Sequence, residues 1–222
     1  MQTPALDVEI ACDALRERIL SGELAPGVLL SQRELAEEMG LGHTPVRTAI
    51  QILAYEGLLR VLPRRGTVVA VPSTEELQEI FEIRLGLECV AASLAASRGA
   101  TRDLKRIASL LTDIWNAPRY EINAAQEVGW AFHREMFRAA GNEKLAHMYD
   151  QLRAQSGIAL RKLNRTDVEV SRRGTEEHLQ IYAAIEARDV EQARSLMLHH
   201  VLRGNAGRMR VIAERLREQE NE

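Results

Sequence analysis

Three of the six histidines in this chain sit in apolar, helix-forming surroundings. His133 lies in GWAFHREMFRAAGN, His178 in EEHLQIYAAIEARDVEQA and His200 in SLMLHHVLR, each on a different expected helix. Imidazoles from three helices that converge inside a bundle can hold a divalent ion of the zinc or nickel type and leave one or more coordination positions open. A lone His on a helix is more often a satisfied core or surface residue, so spacing by itself leaves both readings standing. His199 is the off-register neighbour of His200 and is left out of the set. Arg84, in EIRLGLE, has Glu88 one turn further on, a spacing that suits an ion pair. A three-histidine centre could also serve a metal-dependent hydrolase, which needs a general base within reach of the ion. Glu177 is the nearest carboxylate in sequence, and being adjacent to His178 it points elsewhere on the helix. No catalytic residue is therefore assigned, and the three-histidine metal hydrolase is kept as the alternative function.

A second set of donors stands between Ser31 and Leu59. Ser31 with Glu34 three residues on has the form of a capping box, so a helix is expected to start there. Leu35, Ala36 and Met39 recur at helical spacing, and Gly40 can take the left-handed conformation that ends a helix. After the turn Gly40-Leu41-Gly42-His43, Thr44 is expected as N-cap and Pro45 at the first helical position. Ile50, Leu53 and Ala54, joined by Val46 and Ala49, would face inward, leaving His43, Thr44, Arg47 and Thr48 at the exposed N-terminal end. Such an end fits a DNA major groove, because Arg can bond two guanine acceptors together and the free N–H groups suit phosphate. A plain helical hairpin would show the same caps. The next residues decide between them: LLRVL and TVVAV are β-type runs separated by Pro63-Arg64-Arg65-Gly66, a hairpin with turn residues in place. Arg64 and Arg65 at its tip can meet phosphates, with Gly66 allowing close backbone approach. Together these elements make a winged helix-turn-helix.

The remaining elements are those that must position these groups. A helix from Asp7 to Ser21 would present Ala11, Leu15 and Ile19 to a core, and Pro26-Gly27 would turn the chain towards Ser31. Pro72-Ser73-Thr74 marks the boundary, with Ser73 or Thr74 able to cap a new helix. Beyond it helices are expected at about 75–98, 101–115, 119–139, 142–163, 168–187 and 189–217, with breaks at Gly99, Pro118, Gly141-Asn142 and near Arg165. Six helices joined by short loops imply an antiparallel bundle. The expected fold is mainly α, with a winged helix-turn-helix over residues 1–72 and an all-α domain over 73–222.

Charge narrows the function classes. The net charge is −3, and up to Pro72 there are seven Arg and no Lys against nine acidic residues, which excludes a generic architectural DNA binder. The cations Arg33, Arg47, Arg60, Arg64 and Arg65 are expected on one face, where phosphates feel them within a Debye length of about 8 Å. No apolar run approaches the roughly 18 residues of a membrane span, and MQTPALDVEI lacks the basic start and apolar centre of a signal peptide, so a cytoplasmic protein is expected. Cys12 and Cys89 stand alone without CxxC spacing, as small buried hydrophobes rather than disulfide or metal ligands.

From about Leu6 to Pro72, the segments ILSGELAPG, SQRELA, TPVR with AIQILAYEGLL, and RRGTVVAV resemble the N-terminal domain of the GntR superfamily of bacterial transcriptional regulators. The resemblance implies DNA contacts at Arg33, His43, Thr44, Arg47, Arg65 and Gly66. The position of His43 is commonly Arg in that family, and His offers fewer donors to a base. From about Glu75 to Arg217, LQEIFEIRLGLECVAASLAA, FHREMFRAAGN, EEHLQIYAAIEARDVEQAR and LMLHHV resemble the effector-binding domain of the FadR-type (FCD) branch. That domain holds a metal with one Asp and three His and binds small carboxylates beside it. The resemblance carries the three His to His133, His178 and His200, and an effector-pairing Arg to Arg84. The Asp would fall four residues before His133, where this chain has Gly129; Gln126 is a candidate substitute. The implied protein is a homodimeric, ligand-responsive regulator, read as a repressor released by a small carboxylate. Its implied cofactor is zinc or nickel, and its implied operator is a two-fold symmetric DNA.

Overall fold

The computed structural model describes residues 4–160 and 167–220, with side chains over 5–157 and 167–207. The break expected near Arg165 lies outside the described residues. The described elements group into two compact units, Met1–Leu77 with Gln151–Lys162, and Gln78–Asp150 with Leu163–Glu222.

In the first unit, α1 (Pro4–Ser21) buries Ala11, Leu15 and Ile19 as expected. Ser31 starts α2 (Gln32–Met39) by accepting the Glu34 N–H at 3.3 Å. No return bond from the Glu34 carboxylate occurs among the described residues, so this is half of a capping box. Gly40 ends α2 in the left-handed region, with φ 64°. The next helix, α3 (His43–Tyr55), starts before the Thr44 cap that the sequence suggests: Gly42 is its N-cap and gives no side-chain bond. Thr44 lies in the first turn instead, where its carbonyl accepts the Thr48 hydroxyl at 3.1 Å. Pro45 disfavours helix at the residue before it. Burial of Val46, Ala49, Ile50 and Leu53 on the inner face outweighs that local preference.

Three short strands follow the expected wing and add to it. The hairpin is β2 (Leu59–Leu62) and β3 (Gly66–Val69), antiparallel, with Leu59 opposite Val69 and Leu62 opposite Gly66. An unexpected strand, β1 (Leu29–Leu30), pairs with the other edge of β3, giving the order β1-β3-β2. At the tip Arg64 takes a left-handed φ of 63° and Gly66 a φ of 105°. The latter is a conformation that favours glycine. The last turns of α7 (Glu143–Leu160) also belong to this unit: Ala154 packs on its apolar core, and Gln155 Nε2 donates to the Glu56 carbonyl at 2.8 Å across Gly57.

α4 (Thr74–Arg98) begins at a complete capping box, Glu76 N–H to Ser73 Oγ at 3.1 Å and Ser73 N–H to the Glu76 carboxylate at 2.7 Å. The second unit then packs α4 with α5 (Arg102–Asn116), α6 (Ile122–Ala140), the start of α7, α8 (Val168–Glu186) and α9 (Val190–Glu220). Its core shows why small residues recur in the sequence: Ala91, Ala92, Ala95 and Ala96 on α4 are fully buried and let neighbouring helices approach closely. Phe132, Met136 and Phe137 of α6, with Ile181 and Ile185 of α8 and Met197 of α9, fill the space this leaves. On α5, Leu104, Ile107, Ala108 and Leu111 form one buried stripe at i, i+3, i+4, i+7. Among the described residues, no helix is long and apolar enough to cross a membrane.

Candidate functional site

The bundle brings the three expected imidazoles together. His133 on α6 is placed by burial of its neighbours Phe132, Met136 and Phe137, His178 by the inner face of α8, and His200 by the turn after Met197 on α9. His133 Nε2 lies 3.1 Å from His178 Nε2 and 3.3 Å from His200 Nε2. Metal–nitrogen distances near 2.0–2.1 Å in a tetrahedral site would separate ligand nitrogens by about 3.3–3.4 Å, which these two spacings approach, and the three ligand nitrogens all lie within 4.8 Å of one another. His199 is turned away as expected, its Nδ1 2.7 Å from the Ser195 carbonyl.

Protonation favours the same chemistry. Burial pushes the His133 imidazole below its ordinary pKa, although Glu88 beside it works in the opposite direction. Burial, reinforced by the nearby His200, His133 and Arg203 charges, pushes His178 well below. Both are therefore neutral near pH 7, the form in which imidazole is a ligand.

Two carboxylates that the sequence did not assign to the centre stand behind the imidazoles. Glu88, fully buried on α4, lies 2.8 Å from His133 Nδ1 through Oε2, close enough for an ion-pair contact but not aligned as a directed hydrogen bond. Its Oε1 accepts from Arg84 Nε and Nη2 at 3.1 and 2.8 Å. Burial alone would raise this carboxyl, yet Arg84 and His133 hold it well below the usual range. On the other side Glu177 Oε2 lies 2.7 Å from His200 Nδ1, and both its oxygens accept from Arg203. Burial is again opposed by these partners, which bring its pKa to about 2. Glu177 does point away from its neighbour His178, as helix geometry requires, and it reaches the adjacent helix. The Arg84–Glu88 ion pair was legible at i,i+4; the approach of Glu88 to His133, 45 residues on, had no local signal.

Arg84 is only 3% exposed. Besides Glu88 it lies over the rings of Phe81 and Tyr149, 5.9 and 5.5 Å from their centroids, and its Nη1 has no hydrogen bond. Gly129 has a physical reason in this chain: a Cβ there would stand 3.0 Å from His178 Cε1, so the imidazole lies over the bare Cα.

In the first unit, Arg33, His43, Thr44, Arg47, Arg64, Arg65 and Gly66 are all exposed. Arg33 is 3.4 Å from Glu37, whereas Arg47, Arg64 and Arg65 have no ion-pair partner among the described residues. Arg60, expected with them, is instead drawn into a pair with Glu76 at 3.0 Å.

Residues 8–69 match the family described as bacterial regulatory proteins, gntR family, and residues 79–203 match the FCD domain. The chain is 30% identical over 199 residues to the HTH-type transcriptional repressor GlaR of Escherichia coli K12, covering 85% of this chain and 89% of that protein. It is 30% identical over 198 residues to the probable D-xylose utilization operon transcriptional repressor of Paenarthrobacter nicotinovorans, covering 85% and 83%. The solved structure of E. coli McbR/YncC superposes with a TM-score of 0.75 at 26% identity, over 95% of this chain and 99% of that one.

Proposed function

This chain belongs to the GntR family of bacterial regulatory proteins and carries an FCD domain, a ligand-responsive, DNA-binding transcriptional regulator; from that premise we propose how its residues share the work. The N-terminal domain, residues 1–72, reads an operator in the major groove with Arg47, His43 and Thr44 at the start of α3. Arg33, Arg64, Arg65 and Gly66 take phosphates. What supports this is that Arg47, Arg64 and Arg65 are exposed cations without an acidic partner among the described residues, in an otherwise acidic domain. With so little positive charge a single copy would hold a site weakly, so a homodimer on a two-fold symmetric operator follows. Light scattering should give about twice the 24.9 kDa chain mass, free and on DNA; a single-chain mass in both states would remove the dimer. As a regulator of DNA it would act in the cytoplasm.

The C-terminal domain, residues 73–222, holds a divalent ion, zinc or nickel, with His133, His178 and His200. The observation that carries this reading is the convergence of three Nε2 atoms from three helices. A bound ion would supply positive charge for a small carboxylate effector. The chain's own part is to supply no carboxylate at position 129 and to offer Arg84, whose Nη1 is the donor left for the effector's other end. The effector favours the arrangement that releases DNA, making the protein a repressor. The relatives named above include two described as repressors, which favours that sign. A thermal-shift screen of small mono- and dicarboxylates against zinc-loaded protein tests this, because a ligand that binds the native state raises apparent stability. A carboxylate that stabilises the zinc-loaded protein should also lower its affinity for operator; stabilisation without any change in DNA affinity would contradict it.

A further inference from the structure

Two Arg–Glu–His chains, built on different helices, meet at their imidazole ends. Arg84 and Glu88 of α4 stand behind His133 of α6, with Glu88 Oε2 2.8 Å from His133 Nδ1. Arg203 of α9 and Glu177 of α8 stand behind His200 of α9, with Glu177 Oε2 2.7 Å from His200 Nδ1. The far nitrogens of those two rings then face each other, Nε2 to Nε2, at 3.3 Å. We propose that Glu88 and Glu177 are positioning residues for the three-histidine centre: Glu177 takes the Nδ1–H of His200, and the Glu88 carboxylate, 2.8 Å from His133 Nδ1, favours the proton on that nitrogen by charge, so that the Nε2 lone pairs of His133 and His200 point at one shared position. This rests on the metal reading given above.

In a neutral imidazole only one nitrogen carries hydrogen, so a carboxylate at Nδ1 selects the tautomer with a free Nε2. Two lone pairs turned towards each other at 3.3 Å repel, and a cation between them relieves this. The arginines hold each carboxylate in place: Arg84 binds Glu88 Oε1 through two nitrogens, and Arg203 binds both oxygens of Glu177. The third ligand is held differently. No carboxylate among the described residues lies at His178 Nδ1, and its ring instead lies over Gly129, with Cε1 3.0 Å from where a Cβ would stand. Packing against a bare Cα thus orients the one imidazole that has no carboxylate behind it. In this chain the protein's negative groups stand behind two of the ligands, and position 129, one turn before His133, supplies none in direct contact.

The test is zinc affinity by competition with a chromophoric chelator, on chelator-stripped full-length protein. Wild type, Glu88→Gln and Glu177→Gln are compared, with Glu135→Gln, a buried acid of α6 paired with Arg138, as control. Loss of the carboxylate behind a ligand should weaken zinc by about 10- to 100-fold in the first two variants and leave the control within about threefold. In parallel, 15N spectra of the metal-free wild type should show His133 and His200 as Nδ1–H tautomers, a signature that a merely structural ion pair would not fix. Glu88→Gln leaves Arg84 buried without its partner; should it fail to fold, the part-exposed Glu177–Arg203 pair and the wild-type spectra decide. Wild-type protein that takes up no zinc would overturn the metal reading, and this inference with it. Zinc binding by wild type with Glu177→Gln unchanged, or Nε2–H tautomers at both histidines, would overturn this inference alone.

Discussion

Arg47→Ala is expected to abolish specific operator binding while leaving the fold intact. Arg47 lies on the exposed face of α3, and the opposite face supplies Val46, Ala49, Ile50 and Leu53 to the core, so truncating it removes no packing. A bidentate guanine contact is worth about 1–3 kcal/mol, and a dimer loses it twice. The combined loss of about 2–6 kcal/mol corresponds to roughly 30-fold to more than 10⁴-fold in affinity. Fluorescence anisotropy with a duplex selected from a random pool by the wild type would measure it. Arg64→Ala, at the wing tip, should instead weaken binding to every sequence and make it less dependent on salt, since a phosphate contact carries no base information. Wild-type affinity in Arg47→Ala would mean that α3 does not read the operator.

The second large effect is expected at His178. His178→Ala removes one of three converging nitrogens and the only one not backed by a carboxylate, so neither remaining imidazole can compensate by turning. Zinc should be lost, together with the response to carboxylates. Operator affinity of the effector-free protein should stay within about threefold, because His178 belongs to the second unit and not to the winged domain. The response that disappears is a coupling free energy, typically about 1–3 kcal/mol, or a 5- to 150-fold change in operator affinity. It is read by titrating operator with and without a carboxylate found to stabilise the zinc-loaded wild type. An undiminished response in His178→Ala would show that the effector acts without the ion.

What could be read from the sequence was set by how local its cause is. Helix starts at Ser31 and Ser73 and the stop at Gly40 depend on a residue and its near neighbours, and the structure has all three. The buried stripe of α5 follows from periodicity alone. The start of α3 misled because Thr44 followed by Pro45 has a strong local preference that packing of the next turn overrides. β1 is two residues long, too short for any alternation, and exists only because β3 offers it an edge. The site divides in the same way. The three histidines could be chosen by resemblance, but Glu88 behind His133 and Glu177 behind His200 join different helices, and only the packing of the bundle brings them together. Gly129 was legible as a departure from the family pattern, whereas its reason, the imidazole lying over it, required the structure. The end of α7 reads in sequence as a continuation of one helix, and nothing local shows that Ala154 and Gln155 serve the first unit.

The claim on which most depends is that the three imidazoles hold a divalent ion inside the effector domain. Elemental analysis of the purified protein before and after incubation with zinc, followed by desalting, tests it most directly. One ion per chain that His178→Ala does not retain is the result the arrangement predicts. A wild-type protein with no bound ion after zinc incubation would contradict it, and would leave His133, His178, His200 and Arg84 as an imidazole and guanidinium pocket that meets its anion directly.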